Sequence, residues 1–438
     1  MKLESTSRGA AQASWREAVL HGLAPDGGLY VPVSVPQLSA ADLRALSRMT
    51  FPELSCELAV RFLGDDVPRP VLEEICSDAF TFDAPLHSLD DRTHVLELFH
   101  GPTCAFKDFG ARFMSRLFRH FWGVQERPLT VLVATSGDTG SAVANAFHEP
   151  ERNSSIRVVI LFPKGKVSLV QEKQMTTLGG NVTALEVDGT FDDCQRLVKQ
   201  ALADRSVAQH TALTSANSIN IARLVPQMFY YVYAALQFLD TGPAVFSVPS
   251  GNLGNLTGGL LARAIGVPVR RFVAATNIND TFPKYLASGH FEPHASRETC
   301  SNAMDVGNPS NFARIASMFH GDVAEARSAV TGYSVSESDT LAGIGHTFRS
   351  TGYLLDPHTA VGVCALERHR AATPGDAQSP GIVLATAHPA KFAAVVAQAA
   401  GMEPHVPKQL VAALSQEGCK VSMTCSYDEL RDNLCREV

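Results

Sequence analysis

No C-x-x-C pair occurs in this 438-residue sequence. Its nine cysteines, Cys56, Cys76, Cys104, Cys194, Cys300, Cys364, Cys419, Cys425 and Cys435, are scattered. An odd count without close spacing suits free thiols better than a disulfide framework. Long apolar runs are also missing. AVFSV and the segment around FYYVYAALQFL are too short to read as a membrane span. The opening MKLESTSRGAAQASW carries no apolar stretch of signal-peptide type. Positive charge is not in excess, since the formal net charge is −7 and the pI is near 6.1. Such a surface argues against a protein that coats nucleic acid, but leaves room for a local basic pocket that takes a small anion. A cytoplasmic enzyme acting on a small molecule, without membrane, nucleic-acid partner or metal, is the simplest reading.

What is present is an ordinary globular composition, 45% apolar and 18% charged, in a chain long enough for two or three domains. Residues 1–90 read as an initial domain of short helices and turns. In HGLAPDGGLYVP, Asp26-Gly27-Gly28 signals a turn before a short strand, and ADLRALSR and ELSCELAVRFLG read as amphipathic helices. From about residue 130 apolar strand runs alternate with helices. TVLVAT, IRVVILF and NVTALEV read as strands, each followed by a helical segment. A long helix is expected over IARLVPQMFYYVYAALQFL, with Pro226 in its first turns. Further strands are expected at AVFSVP, VRRFVAAT and GIVLATA. Alternation of this kind argues for mostly parallel sheets covered on both faces. We divide the chain into residues 1–90, a smaller α/β unit at 91–220 and a larger one at 221–438, with a ligand cleft between the two α/β units. The tail beyond about residue 405 is weakly patterned.

Three loops follow expected strands. SGDTGS (136–141) offers hydroxyls at Ser136, Thr139 and Ser141 and leads straight into a helix, which suits a small anion; a serine-capped helix has the same pattern. SGNLGN (250–255) repeats the strand–glycine–helix arrangement. It matches neither G-x-G-x-x-G nor G-x-x-x-x-G-K-[ST], so a terminal phosphate cradled by N–H groups fits better than a dinucleotide or nucleoside triphosphate. TAHPAKF (386–392) puts Thr386 and His388 just past a strand, where such sheets bind ligands; a structural hydrogen-bonding role for His388 is the alternative. Ahead of them, ELFHGPTCAFKDFGARFM (97–114) sets Lys107 between Phe106 and Phe109. Desolvation there would lower its pKa and make it a nucleophile toward an aldehyde.

With these segments, HGLAPDGGLYVP (21–32), QEKQMTTLGGN (171–181), SANSINIARL (215–224), AATNINDTFP (274–283) and SNAMDVGNPSN (301–311), the sequence resembles the bacterial threonine synthases, up to about residue 395. The resemblance implies the tryptophan-synthase-β-like fold of pyridoxal-phosphate enzymes (fold type II), with two α/β units flanking a cofactor cleft and an N-terminal accessory domain. It implies pyridoxal 5′-phosphate as a Schiff base on Lys107. Gly251, Asn252, Leu253, Gly254 and Asn255 would cradle its phosphate, and Thr386 would face its pyridine nitrogen. Ser136, Gly137, Asp138 and Thr139 would close on the substrate carboxylate. The family often has Phe where Leu253 stands, a change expected to be neutral because the backbone supplies the contacts. The implied reaction converts O-phospho-L-homoserine and water to L-threonine and phosphate. Candidates for the substrate phosphate are Lys164, Lys166, Asn217, Ser218, Asn220 and Arg223, with Asp305 and Asn308 as possible cleft residues. A monomer or homodimer is expected. Three alternatives stay open: a phospholyase that gives a 2-oxo acid, a β-replacing enzyme acting on serine derivatives, and an inactive homologue. The β-replacing enzyme is disfavoured by Asp138 standing where such enzymes usually carry Asn.

Overall fold

The computed structural model describes residues 1–123, 128–150 and 155–435. The N-terminal region opens with β1 (Leu3–Ser5), paired antiparallel with β2 (Tyr30–Pro32) after the expected turn. Helix Trp15–His21 lies between the two strands in sequence, and helices Ala40–Leu46, Phe51–Leu63 and Arg69–Ala79 follow them. Two of these helices begin at reciprocal caps. Ser14 and Glu17 exchange bonds, as do Ser39 and Asp42, and so satisfy amide groups that a helix start leaves free. Phe51 meets the rings of Phe80, Phe109 and Tyr233 edge-on at 5.2, 5.3 and 5.4 Å, which joins this region to the body of the protein.

The body contains two sheets. Its strands are β3 (Leu86–Ser88), β4 (Thr93–Glu97), β5 (Leu129–Ala134), β6 (Ile156–Pro163), β7 (Val182–Asp188), β8 (Ala212–Ser215), β9 (Ala244–Pro249), β10 (Val269–Thr276), β11 (Val330–Ser334), β12 (Gly381–Ala385) and β13 (Val421–Thr424). The larger sheet has the order β11-β10-β9-β12-β4-β3 and the smaller β13-β7-β6-β5-β8. Every pairing is parallel except that of β3 with β4. All residues of β5 and β9 are buried, as expected for strands covered on both faces. Helix Ile221–Leu236 is buried at every position but Tyr233, the pattern of a helix at the centre of a large core. Pro226 is its sixth residue, a turn deeper than its first-turn tolerance would suggest.

The sheets are not contiguous in sequence. β4, within 91–220, pairs with β12 of the larger sheet, and β13, within 221–438, pairs with β7 of the smaller one. The segment through β4 was not expected as a strand, nor was the tail expected to contribute one. Both are short, and β13 is mostly exposed, so neither shows a clear apolar run.

The carboxyl ends of β4, β5, β8, β9 and β12 lead into the segments singled out above. Arg314, wholly buried, fixes their outer rim. Its Nε donates to Tyr30 O at 3.0 Å, its Nη1 to Ser218 O at 2.9 Å and Asn311 Oδ1 at 2.6 Å, and its Nη2 to Ile219 O at 2.6 Å. No carboxylate faces it, and burial lowers its pKa to about 9. One guanidinium therefore ties the N-terminal domain to two loops beside the cleft. Replacing it leaves several acceptors unpaired, each an expensive omission in the interior. Arg314→Met should destabilise the protein by about 3 kcal/mol or more, and Arg314→Lys should rescue little, because one ammonium lacks the fork. Thermal unfolding of both variants checks this; midpoints near the parent's would refute it.

Candidate active site

Lys107 begins helix Lys107–Trp122. The segment before it is stitched to the residues after β12: Phe106 N–H donates to Thr386 O at 2.8 Å, and His388 N–H to Cys104 O at 3.0 Å. Lys107 and Thr386 are thereby set side by side, and both line the same cleft. The Lys107 amine lies 4.9 Å from the Phe106 ring centroid. Burial, opposed by Asp138 and assisted by Arg223 and Lys391, lowers its pKa to about 8. A usable fraction of neutral amine then exists near neutral pH. The Thr386 residue is 5% exposed, and its hydroxyl has no hydrogen-bond partner among the described residues.

β9 runs into Ser250–Asn255, and helix Gly254–Ala264 starts within that loop. Leu253 adopts the left-handed conformation (φ 60°), while neither Gly251 nor Gly254 has a positive φ. Gly251 is needed for space instead: a Cβ there would lie 2.8 Å from Ala303 O and 2.9 Å from Met304 Cα. At Gly254 the nearest contacts would be 3.3 Å away, to side-chain atoms. Asn252 is locked by Ser218 Oγ at 2.7 Å and by the Ser310 N–H at 2.5 Å. Asn255 Oδ1 accepts from the hydroxyls of Tyr230 (2.6 Å) and Tyr231 (2.8 Å), and this orients Asn255 Nδ2, which is buried without a partner. A helix start of more than two turns, an orphaned amide donor and a glycine at backbone contact fit a phosphate group.

β5 ends at the loop before helix Asp138–Phe147. Gly137 has φ 133°, and a Cβ there would overlap Gln171. Ser136 and Thr139 face the cleft. Asp138 turns inward. Its Oδ1 is 2.7 Å from Lys391 Nζ and accepts from Gln171 Nε2 at 2.9 Å; Lys391 is 0% exposed and Asp138 3% at the side chain. Burial pushes the Asp138 carboxyl up, but Lys391, Lys107 and Gln171 together hold it well below the usual range. Lys391 also donates to Thr103 O at 2.9 Å, and Thr103 binds Asp108 through both its N–H (2.9 Å) and its hydroxyl (2.6 Å).

Of the other expected residues, Ser218 and Arg223 line the cleft with the loop residues. Arg223 is 3% exposed and has no carboxylate partner; Nη1 donates to Ala216 O at 2.6 Å, Nε is unpaired, and burial lowers its pKa to about 10. Asn217 also lines the cleft, but its side chain bridges to the Ala134 backbone, donating at 2.7 Å and accepting at 3.2 Å. Lys164 lies exposed past β6, outside the cleft lining, and Lys166 pairs with Glu298 at 2.6 Å. Both follow a strand end, but of β6, whose loop turns away from the cleft. Asn220 caps helix Ile221–Leu236 and donates to Val19 O. Asp305 accepts from Thr299 and Asn277, and Asn308 is exposed in a neighbouring depression; neither lines the cleft. His388 accepts from the Ala390 N–H at 3.1 Å and is held near pKa 4 by burial, a structural arrangement. Lys391, Gln171 and the tyrosine pair behind Asn255 were not singled out from sequence. The one available signal was a lysine in an otherwise apolar run just past β12. Among the described residues no cluster of His, Cys, Asp or Glu suits a metal.

Three family models match the chain: pyridoxal-phosphate dependent enzyme over residues 86–385, threonine synthase N terminus over 2–80 and threonine synthase, C-terminal over 359–431. The threonine synthase of Escherichia coli K12 is 42% identical over 412 residues, 94% of each chain. The crystal structure of the Escherichia coli threonine synthase superposes with a TM-score of 0.92 at 40% identity, covering 99% of both chains. A PLP-bound threonine synthase from Brucella melitensis gives 0.91 at 35% identity, again over 99% of both. The residues described above fit that cofactor: an amine of lowered pKa for an aldehyde, a donor-lined helix start for a phosphate, and a neutral hydroxyl at the Thr386 position. Gly251→Ala should weaken cofactor binding by about tenfold or more, because backbone must move to admit a methyl group, whereas Gly254→Ala and Leu253→Phe should stay within about threefold. Cofactor titration of the apo variants, followed by absorbance, checks the order; equal retention by all three would refute it.

Proposed function

We propose a division of labour among the residues of this cleft, in a chain that belongs to the threonine synthase family and converts O-phospho-L-homoserine and water to L-threonine and phosphate with pyridoxal phosphate. Bound in the cleft, the cofactor supplies an aldehyde carbon for covalent capture and a ring that withdraws electrons from the substrate carbons. Lys107 is the residue that would hold that aldehyde carbon. Its amine, whose pKa burial lowers to about 8 in the protein alone, would when free carry protons at Cα, at C4′ and at Cβ. The Ser250–Asn255 loop binds the cofactor phosphate with backbone N–H groups and Asn255 Nδ2. Ser136, Gly137 and Thr139 orient the substrate carboxylate at the start of helix Asp138–Phe147. Arg223, a buried cation without a carboxylate, attracts the substrate phosphate together with the Ser218 hydroxyl. Lys164 and Asn217, also considered for this task, are less supported, the first by its exposure and the second by its bonds to Ala134. Thr386 presents a neutral hydroxyl to the ring nitrogen and favours the protonated ring less than a carboxylate would.

The observation that carries this reading is that Lys107, both glycine loops and Thr386 open onto a single cleft. The reading extends to a cytoplasmic enzyme, monomeric or dimeric, that acts on a small molecule. No helix among the described residues is long and apolar enough to cross a membrane.

Three measurements test it. Incubation with O-phospho-L-homoserine should yield threonine and phosphate in equal amounts; borohydride reduction with peptide mapping should label Lys107, and Lys107→Ala should lose the reducible link. A 2-oxo acid as the main product would mark a phospholyase, and a label on another lysine would overturn the assignment. Thr386→Asp should raise the ratio of 2-oxo acid to threonine while Thr386→Ser stays near the parent; an unchanged ratio in the folded Asp variant would remove the electronic role of this hydroxyl.

A further inference from the structure

A second buried lysine, which the reaction above does not use, pairs with Asp138 of the cleft lining. Lys391 has no exposed surface, and its amine is bonded to Asp138 Oδ1 at 2.7 Å and to Thr103 O at 2.9 Å. A salt bridge so deeply buried is poor value as a stabiliser, since both ions lose their hydration. Its placement suggests another use. Asp138 is the acidic group that acts on Lys107, and it sits in the loop that faces the substrate. Left alone, this carboxylate would be the natural counter-ion for a protonated amine at Lys107.

We propose that Lys391 is a positioning residue: it takes Asp138 as its own ion-pair partner, and so keeps the substrate loop docked and offsets the negative charge of Asp138 beside Lys107. The proposal rests on Lys107 being the cofactor-bearing lysine. The charged and titratable groups facing each member are few. Lys107 faces Asp138, Arg223 and Lys391. Asp138 faces Lys391, Lys107 and the Cys104 thiol, with Gln171 as a neutral partner. Lys391 also faces Asp108 and the Cys104 thiol. Within this set Asp138 is the acid through which removal of Lys391 acts on Lys107. The geometry explains why an acid can be tolerated two residues past Ser136, in the wall of a site that works through a neutral amine. Gln171 holds the carboxylate from helix Leu169–Thr176, so Oδ1 receives two donors and is fixed towards Lys391, whose positive charge opposes it at Lys107.

A charge cycle on the holoenzyme tests this. The variants are Lys391→Met, Asp138→Asn, the double Asp138→Asn/Lys391→Met, and Lys391→Arg as the conservative rescue. The readout is the midpoint of the pH-dependent absorbance change of the Lys107-linked chromophore, after borohydride mapping has established that Lys107 is the linked residue. Lys391→Met frees the carboxylate and should move the midpoint up by about one unit, tenfold in the proton equilibrium. Asp138→Asn leaves a bare cation and should move it down. The double variant and Lys391→Arg should return close to the parent. Two singles that shift in the same direction, or a double as displaced as either single, would overturn the proposal, as would unchanged midpoints in folded variants. Should Lys391→Met fail to fold, the downward shift of Asp138→Asn and the return of the double decide the matter alone. A label on a different lysine would instead overturn the underlying assignment of Lys107.

Discussion

The contact between Lys391 and Asp138 joins parts of the chain that are made far apart. Asp138 follows β5 of the smaller sheet and Lys391 follows β12 of the larger one, while Thr103, which shares Lys391, belongs to the segment that delivers Lys107. Because both charges are buried, neither tolerates the absence of the other. The cleft therefore depends on both sheets being in register at their carboxyl ends. Around this bond the remaining groups need only local support: Asn255 is turned by two tyrosine hydroxyls, Asn252 by Ser218 and Ser310, and Gly137 by the space that Gln171 leaves.

The site is built with an asymmetry of charge that suits its chemistry. On the phosphate side the donors are neutral: amide groups, a carboxamide and a helix start. Arg223 adds a buried cation that forms no salt bridge among the described residues, with Asp108 acting on it only at longer range. On the amine side two cations and one anion surround Lys107, and burial dominates the outcome. An anionic ligand therefore meets positive potential, while the nucleophile is kept partly unprotonated in the same cavity. These demands conflict for a freely solvated lysine, and the fold resolves them by distance and burial.

Much of this was legible in sequence because it is local. Buried parallel strands are continuous apolar runs, so β5, β6, β7, β9, β10 and β12 stand out, and the glycine loops that follow β5 and β9 point to the cleft by position alone. β4 and β13 were not legible, since a short strand with mixed exposure has no distinctive period. The same limit applies to side chains. Asn217 and Arg223 lie six residues apart in one motif, yet the first is consumed by the Ala134 backbone and the second stays without an anion. Spacing cannot distinguish them. Lys164 follows a strand end just as Lys391 does, but only one of the two strand ends opens on the cleft. Leu253, not a glycine, carries the left-handed turn, and Gly251 is small for the sake of close approach and not of backbone angle.

The interleaving of the two sheets has a consequence for how the polypeptide emerges from the ribosome. β4 is made early and has only the short β3 beside it until β12 is translated, and β7 keeps an open edge until β13 appears more than half a chain length later. Neither sheet can be completed by a nascent chain, however long translation pauses before its end. Lys107 leaves the exit tunnel long before Thr386 and Lys391, so an interrupted product would present the reactive amine without the far wall of its pocket. The cleft that Lys107 and Thr386 line together is thus reserved for finished molecules.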